Sequence, residues 1–196
     1  MTGLRQQLRA ATAPLHEAVD EAFAGFRLDS RTGYVQFLSA HWRAVQPLEC
    51  CLEQAGIDRL LPDWPQRTRR MALSADLERL GIEPPTPLPA PRIASLEGLW
   101  GAVYVLEGSR LGAKVLSRRV DCGDRPAPLA YLTHGADRSL WPTFLERLET
   151  AGPPAFGAPL LAGAEAAFAL FLTASRLERG ACQPSSAFQG TLLAAP

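Results

Sequence analysis

Leu4, Leu8, Ala11, Leu15, Val19 and Phe23 recur at intervals of three and four, which lays one apolar stripe along a helix that ends near Gly25. A second stripe, Tyr34, Phe37, Leu38, His41, Trp42 and Val45, predicts a helix from about Thr32 to Gln54, with Ser30 or Thr32 as its cap. Pro47 falls inside that helix and predicts a kink or break, because proline lacks the amide donor. Met71 to Leu80 reads as a shorter helix stopped by Gly81. The run Pro84, Pro85, Pro87, Pro89 and Pro91 then reads as an extended surface connector over about residues 83–92.

Helical patterning resumes at Ser95-Leu96-Glu97 and continues to about Arg118. Asp121 to Arg125 reads as a turn, Asp137 to Glu149 as a helix, and Phe156 to Arg179 as a last helix rich in alanine and phenylalanine. No β-branched alternation predicts a strand. The pattern therefore gives an all-α protein of roughly six to eight helices, with boundaries good to a few residues. The connector separates two helical halves, neither large enough to stand alone, so a single domain over 1–196 is expected.

Composition narrows the chemistry. Twenty Lys+Arg balance twenty Asp+Glu, so no broad basic surface invites nucleic acid. The most apolar stretch, Ala164 to Ala174, is shorter than a membrane span needs, and no signal-peptide pattern opens the chain. Cys50, Cys51, Cys122 and Cys182 show neither a CxxC pair nor a histidine-rich partner run, so zinc is not expected. Free thiols in a cytoplasmic, monomeric protein are the default expectation.

Of the three histidines, His16 has the most suggestive company. It borders the apolar stripe, Asp20 lies one turn on, and Arg9 lies two turns back on nearly the same face. A carboxylate that accepts the Nδ1 proton leaves Nε2 free for a metal. The alternative is that Arg9 and Asp20 are ordinary solvated helix charges. His41 and His134 read as packed or solvent-facing residues.

Trp100 to Lys114 is helical in most of its residues yet carries Gly101, Gly108 and Gly112, each costing about 1 kcal/mol relative to alanine. Gly108 and Gly112 strip one face bare. Close helix packing is the commoner cause of such a pair. A flat ligand pressed against the backbone is the other.

Leu8-Arg9-Ala10-Ala11-Thr12-Ala13-Pro14-Leu15-His16 resembles the proximal helix of haem oxygenases, and Tyr104-Val105-Leu106-Glu107-Gly108-Ser109-Arg110-Leu111-Gly112 resembles the distal helix of their bacterial branch. Tyr131 to Phe144 is similar to the segment that follows it in the family. The resemblance implies the helical haem oxygenase fold, with haem held between proximal and distal helices as both cofactor and substrate. It implies His16 as the axial iron ligand and Asp20 as its outer partner. Arg9 and Tyr104 would meet the propionates, with Lys114 a further candidate. Gly108, Ser109 and Gly112 would cover the oxygen side.

Ring opening to biliverdin, CO and ferrous iron would then use O2 and electrons from a separate ferredoxin or flavoprotein reductase, since the chain holds no GxGxxG. The resemblance is to phytochrome-associated members, which implies bilin supply to a bacterial phytochrome as an outlet beside iron release. Two positions depart from the family pattern. Ser109 stands where animal members carry aspartate, so proton delivery is expected from water held by backbone carbonyls with help from Ser109. Ala113 replaces a common glycine. A haem sensor or carrier without catalysis is the alternative, and a helical domain for another small molecule is a third reading.

Overall fold

The computed structural model describes residues 3–123 and 126–180. Cys182, and the Asp124 and Arg125 end of the expected turn, lie outside the described residues. Among the described residues the chain forms eight α-helices and no strand: α1 (Leu4–Ala24), α2 (Arg31–Gln54), α3 (Arg70–Arg79), α4 (Leu96–Gly108), α5 (Arg110–Ser117), α6 (Ala130–Thr133), α7 (Leu140–Ala151) and α8 (Ala158–Gly180). Two 3-10 turns at Ile57–Arg59 and Trp64–Gln66 link α2 to α3. The 3-10 turns and α6 carry no long periodic stripe and escape sequence reading.

The helix boundaries follow local chemistry. Ser30 Oγ accepts the Gly33 amide at 3.2 Å and Ser95 Oγ accepts the Gly98 amide at 3.1 Å, so each serine caps a helix start. Gly81, at φ 71°, turns the chain after α3.

Pro47 does not break α2, which runs unbroken from Arg31 to Gln54. The reason is a donor from elsewhere. Proline at 47 leaves the Arg43 carbonyl without its usual intrahelical partner, and the Leu88 amide donates to that oxygen at 3.0 Å. The proline-rich connector is thereby strapped to α2. Trp42 Nε1 donates to Pro85 O at 2.8 Å, Arg43 Nη1 to Thr86 O at 2.6 Å, and Cys51 Sγ to Pro91 O at 3.2 Å.

Helix α8 is the centre of the bundle, with α1, α2 and α4 packed around it. The sequence suggests a short apolar stretch, but the helix has 23 residues and is long and apolar enough to cross a membrane by length and composition alone. In the fold its apolar faces, including Ala164, Ala167, Phe168, Phe171 and Ala174, belong to one core cluster that also takes Leu8, Leu38, Leu48 and Trp100. Helices α4 and α8 meet backbone to backbone. A Cβ on Gly101 would fall 1.9 Å from Leu160 O, and one on Gly163 would fall 1.9 Å from Gly98 O. These glycines are bare because a helix occupies the space.

Candidate functional site

Helix α1 packs on α8 and, less extensively, on α7. His16 stands on its open side with a side chain 63% exposed, and the ring edge of Phe168 on α8 lies beside it, at 6.2 Å between centroids. His16 Nδ1 sits 3.0 Å from Asp20 Oδ2, as the helical spacing of four residues predicts. With Nδ1–H donated to that carboxylate, Nε2 is left as the free electron-pair donor. Arg9 is exposed on the same helix.

Tyr104 on α4 is half-buried against Trp141, at 5.6 Å between centroids. Burial raises its phenol pKa, while the Arg5 and Arg9 cations act in the opposite sense. Lys114 on α5 is exposed.

The expected single helix from 95 to about 118 is broken at Ser109 into α4 and α5. A Gly-Ser pair is a frequent site of such a bend, and Ser109 Oγ turns back to donate to Leu106 O at 2.7 Å. Ser109 therefore has its only hydroxyl proton committed to a backbone carbonyl. On either side of the break, a Cβ on Gly108 would meet nothing nearer than Trp141 at 3.8 Å, and one on Gly112 would meet nothing within 4 Å. Leu111 and Val115 on α5 are 60% and 61% exposed, unusual for large aliphatic residues one turn apart. Ala113 is buried, so its methyl points away from this open face.

Behind the bend lies a buried ionic cluster that sequence reading missed. Arg67 Nη1 donates to Glu107 Oε2 at 2.6 Å with both side chains 1% exposed, and to Leu140 O at 2.8 Å. Arg67 also pairs with Asp63 at 2.7 Å, and Arg110 pairs with Glu107 at 2.9 Å. The available signal is an acid, Glu107, at the end of the apolar run of α4, together with the basic Arg67-Thr68-Arg69-Arg70 segment elsewhere in the chain. Burial forces every such charge to be paired. Glu107→Ala, which leaves Arg110 without its carboxylate and Arg67 with Asp63 alone, is expected to cost about 3–5 kcal/mol in urea unfolding.

His41 lies inside a cage of rings: Phe37 at 4.1 Å, Phe23 at 4.6 Å, Tyr131 at 5.3 Å and Phe171 at 5.7 Å between centroids. Its Nδ1–H donates to Phe37 O at 2.9 Å. Burial pulls its pKa down to about 3, against the smaller opposing effect of that hydrogen bond, and the Arg69 charge lowers it further. The unfolded chain takes up a proton near 6.5 that the folded chain refuses until about 3. Stability is therefore full above the unfolded value and falls as pH drops between the two, at up to about 1.4 kcal/mol per pH unit. Urea titrations from pH 7 to 4 are expected to show this slope, and the His41→Phe variant to lose it. His134 is half-buried, and burial, then Arg110 and Arg69, hold its imidazole below its ordinary value.

An imidazole with one nitrogen tied and the other free suits a metal ligand. The open glycine face with exposed aliphatic neighbours suits a flat apolar ligand. No family model matches the sequence. In solved structures, the fold is similar to the NO- and CO-bound haem oxygenase from Neisseria meningitidis, with TM-score 0.78 and 24% identity over 97% of this chain and 99% of that one. The sequence is 33% identical over 162 residues to a curated haem oxygenase of Xanthomonas campestris pv. campestris, spanning 78% of this chain and 94% of that relative. With that identity over nearly the whole relative, and the proximal and distal segments falling on α1 and the α4–α5 bend, the chain belongs to the haem oxygenase family.

Proposed function

We propose that the protein degrades haem, opening the macrocycle to biliverdin with release of CO and ferrous iron, using O2 and electrons from a separate ferredoxin or flavoprotein reductase. The observation that carries the reading is the contrast among glycines. Gly101 and Gly163 are required by neighbouring backbone, whereas a Cβ on Gly108 would make only ordinary contact with Trp141 at 3.8 Å and one on Gly112 would meet open space, at a cost in helix propensity. A flat ligand that needs bare backbone accounts for that cost.

In this reading His16 Nε2 ligates the iron, and Asp20 holds the ring in the correct tautomer. Arg9 and Tyr104, with Lys114 further along, meet the propionates and so set which ring edge faces the bend. When bound, haem supplies both the iron that activates O2 and the ring that is opened. Gly108 and Gly112 would leave room for the ligand beside the bend, and Leu111 and Val115 would supply apolar surface that excludes water from it. Because Ser109 donates its proton to Leu106 O, proton delivery falls to water beside the bend. The half-buried thiols Cys50, Cys51 and Cys122 suit a reducing cytoplasm, the location that belongs to this reading. Bilin supply to a bacterial phytochrome is the outlet we favour.

Purified protein mixed with haemin is expected to show a Soret band, which gives way to a bilin spectrum with CO release on addition of reductant and air. No Soret band rejects haem binding. A Soret band that survives reductant and air unchanged assigns the chain to haem carriage or sensing instead.

A further inference from the structure

Arg69 lies just before α3 and is 3% exposed. Its backbone amide donates to Glu49 Oε1 at 2.7 Å, which fixes where the side chain starts. Its Nη2 donates to Leu106 O at 3.0 Å and to Ser109 Oγ at 2.8 Å, while Ser109 Oγ donates to the same Leu106 oxygen at 2.7 Å. Guanidinium, hydroxyl and carbonyl thus close a triangle across the break between α4 and α5. The face of Tyr131 supports the guanidinium from beyond, at 5.1 Å from its carbon to the ring centroid.

The neighbouring arginines are used differently. Arg67 and Arg110 take the Glu107 carboxylate, whereas the Arg69 guanidinium is spent on neutral acceptors at the bend. We propose that Arg69 is a positioning residue for the reaction: by fixing the bend at Gly108–Ser109 it sets the height of the bare Gly108–Gly112 backbone over the bound macrocycle. The inference rests on the haem reading and concerns only how the distal backbone is held. An arginine suits the task because it stays charged, is planar, and directs one terminal nitrogen at two converging acceptors. A lysine offers a point charge without that plane, and a methionine fills the volume without donating.

The test uses the full chain loaded with haemin, then reduced under CO. Arg69→Met is expected to bind haem with an unchanged ferric Soret position, since His16 is untouched. Its CO complex is expected to show a displaced and broadened C–O stretch, and its turnover at saturating haem to fall about tenfold to a hundredfold, the scale for a displacement of about 1 Å near reacting atoms. Arg69→Lys is expected to recover part of both. A merely structural role would lower unfolding stability and leave the C–O stretch of the folded, loaded protein in place; that result overturns the proposal. If Arg69→Met does not fold, Ser109→Ala removes a corner of the same triangle at an exposed residue. A displaced C–O stretch there supports the proposal, and an unchanged one overturns it. Wild-type protein that takes up no haem rejects the underlying haem reading, and the inference falls with it.

Discussion

His16→Ala protein is expected to bind haemin more than a hundredfold more weakly than wild type and to produce no bilin. The geometry gives the scale. Outer partners of a metal-bound histidine are typically worth about 10–100-fold in affinity or activity, so Asp20→Asn is expected within that range and loss of the ligand itself beyond it. His16 is exposed, with the edge of Phe168 beside it, so the variant is expected to fold with wild-type stability. Haemin titration followed at the Soret band measures the affinity. Free imidazole added to the variant is expected to restore a nitrogen-ligated spectrum. A variant whose Soret position and turnover match wild type would assign the iron to another side chain.

Gly112→Leu is expected to separate folding from binding. A Cβ at Gly112 would meet no neighbouring element within 4 Å, and replacing glycine inside a helix gains up to about 1 kcal/mol in propensity. The ligand-free variant should therefore melt at or above the wild-type temperature, by about 2–4 °C for a chain of this size. Its haem uptake should be lost, because the new side chain occupies the ligand's space. Gly101→Ala is the contrasting case. Its Cβ would sit 1.9 Å from Leu160 O, so it is expected to destabilise the protein by about 3 kcal/mol or more. Thermal melts with and without haemin measure both. Full haem binding by Gly112→Leu would remove the main support for a ligand against that backbone.

Much of this architecture was legible because periodic stripes are long-range regularities written locally. The start of α2 was narrowed to Ser30 or Thr32, that of α4 to Ser95-Leu96-Glu97, and the end of α3 followed from Gly81. His16 and Asp20 could be paired because one helix turn separates them whatever the rest of the chain does. The two causes of the glycine pattern could not be separated in sequence, since only neighbours in space tell Gly101 from Gly112. Arg67, Arg69 and Glu107 escaped for the same reason: about forty positions lie between partners, and no local rule links them. Of the kink or break expected at Pro47, the break does not occur, because the compensating amide, from Leu88, comes from a segment whose prolines speak only of extension.

That last contact ties the order of assembly to the order of the chain. Residue 47 cannot supply the amide that the carbonyl at 43 requires, and the substitute arrives only once synthesis has passed position 88. The second helix is thus left incomplete by its own sequence and finished by the linker that opens the second half. Until then water alone can bond that oxygen, and docking of the linker exchanges the water for a bond within the chain, so the last touch to the amino-terminal half comes from the other half.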